Sequence, residues 1–459
     1  MNKIFFLLVV AVLLITACTP VATPVANQPT SVQAATAEPA TAKPAAEKIT
    51  LLVMGPDSDN VLASGSPVDV QKKVLDEVVK GFLAENPDIA DVKWDAQGPV
   101  GEDTTRLLTA HLAGQKMDLV ACATNPVNGI WARKGVFLPL DDLIAPFKDR
   151  IVPSALDSLT VDGKAYGVPI SDISFSTLYY NKNVFQKLGI QPPTTYEELV
   201  SISKTLKAAG YIPLLPQGKA AYFWPMWYFE MAAQTMGDSV AKTQQNLEGK
   251  AKFTDAADVK ALQWIGKLVT DGVIDANSLA VDNDGMRSAF ASQKAAIIYG
   301  GSWEMPWLDA NVKDFEVGVF EFPKLTGEPG EPRHGGGAGS GICIDSNIAK
   351  DRIPYAVKFI EYLTRPDVAT IYLSPLTPAA VAINGTKAVV VTPREEYIRT
   401  VILPHTIKFL DWIWPSEINN EFQAAIQGVV GGTQSAEVGM ANVQKVYDKL
   451  VSEGYVFGK

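Results

Sequence analysis

The chain is poor in the residues that build metal centres and disulfide scaffolds, with three Cys and three His among 459 residues. Cys122 and Cys343 show no zinc-ligand spacing, and His111, His334 and His405 are scattered. Neither a metal site nor a cysteine-stapled fold is predicted, and no cofactor motif is present. Positive charge is also in deficit, 40 Lys plus Arg against 50 Asp plus Glu, for a net charge of −10. Such a chain offers no basic field to polyphosphate, so no nucleic-acid partner is expected. No apolar run is long enough to span a bilayer. The run from Ile4 to Ile15 would reach about 18 Å as a helix, against ~30 Å of hydrocarbon.

What is present is apolar and aromatic material: 47% hydrophobic residues, nine Trp, 14 Tyr and 18 Phe. That suffices for a large core, in two to four domains or one two-lobed body. The first residues read as an address. Lys3, the apolar run and Thr16-Ala17-Cys18 have the layout of a signal peptide over 1–17. Leu14-Ile15-Thr16-Ala17-Cys18 resembles the bacterial lipobox. The resemblance implies cleavage before Cys18, lipidation of its thiol and new amino group, and a membrane anchor on the outer face of the cytoplasmic membrane. Residues 19–47 are rich in Ala, Pro and Thr and lack aromatics. With Cys18 they form a tether over 18–48 that cannot pack a core.

From Ile49 onward strands and amphipathic helices alternate. Ile49–Met54, Val92–Ala96 and Asp118–Cys122 read as strands. Val74, Leu75, Val78, Val79, Phe82 and Leu83 recur at helical spacing, and Asp103 is the expected cap of the next helix. Thr195 with Glu198 predicts a capping box. Residues 256–270 and Tyr355–Leu363 are further helices, Ala295–Tyr299 and Ile342–Asp345 further strands, and 419–452 a closing helical pair. The pattern predicts an α/β fold with a largely parallel sheet.

The motifs, in order, are Phe82-Leu83-Ala84-Glu85-Asn86-Pro87-Asp88, Met117-Asp118-Leu119-Val120, Asp162-Gly163-Lys164-Ala165-Tyr166-Gly167-Val168-Pro169, Leu178-Tyr179-Tyr180-Asn181-Lys182, Pro193-Thr194-Thr195-Tyr196-Glu197-Glu198, Gly300-Gly301-Ser302-Trp303 and Val357-Lys358-Phe359-Ile360-Glu361-Tyr362-Leu363. Together they resemble the extracellular solute-binding proteins of ATP-binding-cassette importers, in the maltose-binding-like, carbohydrate-associated family. The resemblance implies a two-lobed periplasmic-binding-protein-like fold with a ligand cleft between the lobes. It assigns 49–170 and 338–385 to lobe 1, and 171–337 and 386–459 to lobe 2. Hinges are implied near Val168–Ser174, Gly335–Gly341 and 378–392. It further implies a monomer that binds a small solute, a sugar or oligosaccharide foremost, and delivers it to permease subunits. No enzymatic activity is implied.

Sugar sites combine aromatic platforms with carboxylates and amides. Trp303, in the Gly-Gly-Ser-Trp turn, is the leading platform, with Trp307 and Glu304 beside it. The cluster Tyr222–Phe229 offers Trp224 and Trp227, and one of Trp412 and Trp414 is expected in the site. Thr124 and Asn125 follow a strand at its carboxyl end, where α/β sheets bind ligands. Asp172 lies at the first hinge, and Asp57 and Asp59 follow the first strand. Trp94, Trp131, Trp264 and His111 read as packing residues. Cys122 stands where the maltose-binding relatives carry a Trp, and Asn125 where they carry an Asp, which argues against maltose itself. A Cys122–Cys343 disulfide is left open, two buried thiols being the expectation. Rival readings are a binder of glycerol phosphate, polyamine or quaternary amine, and a lipid-anchored glycoside hydrolase.

Overall fold

A computed structural model describes residues 48–55, 68–96, 100–123, 126–170, 173–373, 382–387 and 392–457. The lipidation candidate Cys18 and the site candidates Asp57, Thr124, Asn125 and Asp172 lie outside the described residues, as does Asp59.

Among the described residues, thirteen strands form two main sheets and a small hairpin. They are β1 Ile49–Gly55, β2 Ile89–Ala96, β3 Leu119–Ala123, β4 Thr160–Val161, β5 Lys164–Ala165, β6 Gly167–Pro169, β7 Ile173–Asn181, β8 Ile212–Leu215, β9 Ala295–Gly301, β10 Val317–Phe320, β11 His334–Ala338, β12 Ser340–Ile344 and β13 Thr406–Lys408. The first sheet has the order β2-β1-β3-β12-β6, and the second β13-β11-β7-β9-β8 with β10 also paired to β7.

The chain leaves the first sheet after Pro169 and enters the second at Ile173. It returns between Ala338 and Ser340. These crossings explain a departure from the parallel sheet that alternation predicts. Strands β2, β1 and β3 are parallel, but β6 leads out of the first half and β12 leads back in, so they pair antiparallel. For the same reason β7 and β11 are antiparallel in the second half.

Each sheet carries its own apolar clusters. Helices Val68–Glu85 and Ile353–Leu363 pack on the first sheet through Val74, Val78, Phe82, Phe359 and Ile360. The second sheet is covered by helices Trp224–Met236, Ala256–Thr270, Ser416–Val430 and Ala436–Ser452, meeting in the largest cluster. The short helix Pro153–Ser158 serves both halves. Leu156 belongs to the first sheet's core, while its neighbour Ala155 packs with Ile173 and Phe175 of β7.

Local sequence chemistry accounts for most element ends. The Thr195–Glu198 capping box opens helix Tyr196–Ala208, Asn181 accepts from the Val184 amide at the start of Lys182–Leu188, and Gly189 closes that helix in the left-handed region. Asp103 is not a cap, because the helix already begins at Val100. The cysteine expectation is corrected outright. Cys122 of β3 and Cys343 of β12 form a disulfide, with Cα atoms 5.9 Å apart. Only the sheet brings residues separated by 221 positions onto adjacent strands.

Candidate functional site

The carboxyl ends of strands from both sheets converge on the crossings. Ala123, at the end of β3, pairs with Ser340 beside the return crossing. Gly301, at the end of β9, pairs with Ser176 near the start of β7, and β8 runs parallel to β9. Loops leaving β8 and β9 therefore open toward the first half, the position at which open α/β sheets take ligands.

The Gly-Gly-Ser-Trp motif ends β9, and its glycines have a steric purpose. A Cβ on Gly300 would stand 2.7 Å from Cγ of Glu304, and one on Gly301 2.3 Å from the Trp303 ring. Both side chains fold back over the strand end. Trp303 is half-buried against the second core. Glu304 is fully buried, and Arg287 Nε donates to its Oε2 at 2.7 Å. Asn283, its amide assigned so that the nitrogen donates, reaches Glu304 Oε1 at 3.3 Å. Burial pushes the Glu304 carboxyl up, opposed by Arg287 and by the Trp303 side chain. The Arg287 guanidinium also lies 5.3 Å from the ring centroid of Trp307, so Trp307 supports the ion pair from behind.

The loop after β8 supplies two residues that sequence reasoning passed over. Tyr222 is 52% exposed, with its hydroxyl held up first by burial and then by the charge of Glu304. Gln217 is buried, and neither atom of its amide makes a good hydrogen bond within the chain. Ser302 Oγ is likewise buried without a partner. No sequence signal marks Gln217, whereas Tyr222 was visible as the first aromatic of its cluster.

Three of the expected tryptophans leave the site. Trp224 and Trp227 have no exposure, and Trp227 packs on Tyr299 with ring centroids 4.4 Å apart. Trp224 Nε1 donates to the carbonyl of Gly218 at 2.8 Å, so it holds the β8 loop in place. Trp414 is stacked on Phe422 at 3.9 Å and is also core. Helix Trp224–Met236 is buried along nearly its whole length, which removes any polar face to the cluster and so any period to read.

Trp412 lies elsewhere. It lines a cavity of about 1170 Å³ together with Cys122, Arg133, Gly337, Lys408 and Tyr455. This cavity lies between the two sheets, lined by Cys122, Gly167 and Cys343 from the first and by Gly336, Lys408 and Trp412 beside the β13 edge of the second, whose opposite edge is β8. Two of its cationic residues are paired, Arg133 with Asp162 at 2.9 Å and Lys408 with the carbonyl of Asp157 at 3.1 Å. No lining residue has a buried polar atom without a partner. Despite its size, the cavity lacks the unmet polar groups found beside Trp303.

Residues 64–370 match the family model of the bacterial extracellular solute-binding proteins. The chain belongs to that family. This solute-binding protein is 25% identical over 365 residues to the multiple sugar-binding protein of Streptococcus mutans, covering 76% of its own length and 82% of the relative. It is 25% identical over 264 residues to the sn-glycerol-3-phosphate-binding periplasmic protein UgpB of Yersinia enterocolitica, covering 54% and 58%. Among solved structures, a chitin oligosaccharide binding protein superposes with a TM-score of 0.72 at 22% identity, covering 88% of this chain and 98% of the other. The fold of this solute-binding protein is thus the two-lobed periplasmic-binding-protein-like fold. No helix among the described residues is long and apolar enough to cross a membrane.

Proposed function

We propose that the protein captures a neutral sugar or oligosaccharide between its two halves and presents it to the permease of an ATP-binding-cassette importer. The observation that carries this reading is the grouping of Trp303, Tyr222, Gln217 and Ser302 at the carboxyl ends of β8 and β9, beside the crossings. An indole and a phenol supply apolar faces, and an amide and a hydroxyl supply in-plane hydrogen bonds, the two surfaces a pyranose presents. The sugar-binding relative supports the same class. Asp57, Thr124, Asn125 and Asp172 are proposed as further contacts. Closure follows from a ligand touching both halves, since only differential contacts shift such an equilibrium. The lobes proposed for this movement are 49–170 with 338–385, and 171–337 with 386–459. Cys18 is proposed as the lipid anchor, with 18–48 as tether.

The reading is non-enzymatic. Sugar hydrolysis needs an acid and a second carboxylate about 5–10 Å apart, and Glu304 is committed to Arg287. Calorimetry of the mature protein against a panel of neutral oligosaccharides and sn-glycerol 3-phosphate tests the reading. Binding of no neutral saccharide overturns it, and steady release of product from an oligosaccharide overturns the non-enzymatic part.

A further inference from the structure

We infer that Gln217 and Ser302 are specificity-determining contacts, and that they select an uncharged, hydroxyl-rich solute over an anionic one. The inference rests on the reading of the site given above. Gln217 lies two residues beyond β8 and Ser302 one residue beyond β9, and these strands are parallel neighbours. Relative exposures are 1% and 2%. Neither amide atom of Gln217 nor the Oγ of Ser302 makes a hydrogen bond of good geometry within the chain, although the Tyr222 hydroxyl reaches the Gln217 side chain, and a buried polar group left in that state costs about 1–3 kcal/mol.

The β8 loop is not loose enough to rearrange around the missing bonds. Trp224 Nε1 binds the carbonyl of Gly218, and a Cβ on Gly218 would fall 2.3 Å from the Ser278 carbonyl oxygen. Gln217 is therefore presented in one place. Two donors and two acceptors are offered: the amide nitrogen and serine hydroxyl can donate, the amide and hydroxyl oxygens can accept. A vicinal pair of hydroxyls matches that set, because each hydroxyl both gives and receives a hydrogen bond.

Charge argues the same way. Within the two loops the charged side chains are already neutralised, Lys219 by Asp282 at 3.5 Å and Glu304 by Arg287 at 2.7 Å. A phosphate entering here would lose hydration and find in these loops no free Arg, the side chain on which binding of that group ordinarily calls. A site built from unpaired neutral groups discriminates by leaving those groups unmet when the wrong ligand binds.

The experiment compares the wild-type protein with Gln217→Met and Ser302→Ala. Isothermal calorimetry uses raffinose, maltotriose, chitobiose, xylobiose and sn-glycerol 3-phosphate, and thermal unfolding is recorded without ligand. The expected result is a loss of at least ~10-fold in affinity for the saccharide that wild type binds, with the unliganded Tm unchanged or raised, since an unmet buried amide has been removed. Affinity within about twofold of wild type in both variants overturns the inference and leaves the saccharide reading standing. A Tm lowered in both variants assigns the residues a structural role and also overturns it. Wild type binding only sn-glycerol 3-phosphate overturns the inference together with the reading beneath it.

Discussion

Trp303 is folded back onto Gly301, so closely that a methyl group at position 301 would stand 2.3 Å from the indole ring. The glycine belongs to the site although its own side chain can touch nothing. Gly301→Ala is expected to swing the indole off the strand end and weaken saccharide binding by about tenfold, roughly 1.4 kcal/mol. Tryptophan fluorescence of the unliganded variant reports the displaced ring, and titration reports the affinity. Unchanged emission and affinity would show that the ring has another way to seat itself.

Removing the ring itself should be worse. Trp303→Ala takes away the indole face of the proposed site, and an interface anchor of this kind contributes 2 kcal/mol or more. A fall of at least ~30-fold in affinity is expected, with circular dichroism unaltered. Binding that survives the substitution removes Trp303 from the ligand's path.

Trp414→Ala separates packing from recognition. The indole stacks on Phe422 with ring planes 6° apart and has no exposure. Its truncation should cost about 3–5 kcal/mol, seen as a large drop in Tm. Ligand added in excess should recover part of that loss by mass action. A variant as stable as wild type would contradict the core assignment.

The Cys122–Cys343 disulfide ties β3 to β12, and so binds the segment that returns from the second half to the sheet it left. Replacing both cysteines by alanine should lower stability by about 2–5 kcal/mol. Dithiothreitol should lower the wild-type Tm toward that of the variant and leave the variant itself unmoved. Mass spectrometry before and after alkylation counts the thiols directly.

His334 provides a pH dependence. It is fully buried on β11, with Nε2 at 3.3 Å from Glu321 Oε1 and Nδ1 at 3.8 Å from Glu230 Oε1. Ser176 and Tyr299 donate to Glu230 Oε1 at 2.6 and 3.1 Å, and His405 reaches Glu321 Oε1 at 2.6 Å. Burial alone pulls the imidazole down, but Glu230 and Glu321 outweigh it and hold His334 up to about 9, from an ordinary 6.5. A pKa raised on folding stabilises fully below the unfolded value and fades as pH rises through the folded one. Stability should therefore decline between pH 6.5 and 9, and His334→Gln should flatten that slope. Equilibrium denaturation at successive pH values measures it, and equal slopes in the two proteins would refute the pairing.

Much of the fold was readable along the chain because its signals are local. The Thr195–Glu198 box, Gly189 beyond its helix, and the apolar spacing of Val74 to Phe82 each act within a turn or two, and each marks an element the structure contains. The Gly-Gly-Ser-Trp turn was readable as well, through its resemblance to the family's motif, and the structure supplies the steric reason for its two glycines. Trp224 and Trp227 were misread for the opposite reason. A helix buried all round has no polar face, so its aromatics carry the same pattern as a cleft wall.

By itself, then, the sequence determined the strands and helices whose signals are local, the net acidic charge, an apolar run ahead of a proline-rich stretch, and the family resemblance. Only the tertiary structure decided which aromatics are core, that Cys122 meets Cys343, that Glu230 and Glu321 enclose His334, and that the Gln217 amide is buried without a well-formed hydrogen bond. The first group arises from neighbours within a few residues of one another. The second depends on residues tens to hundreds of positions apart, whose proximity is a property of sheet order and crossing strands rather than of any local pattern.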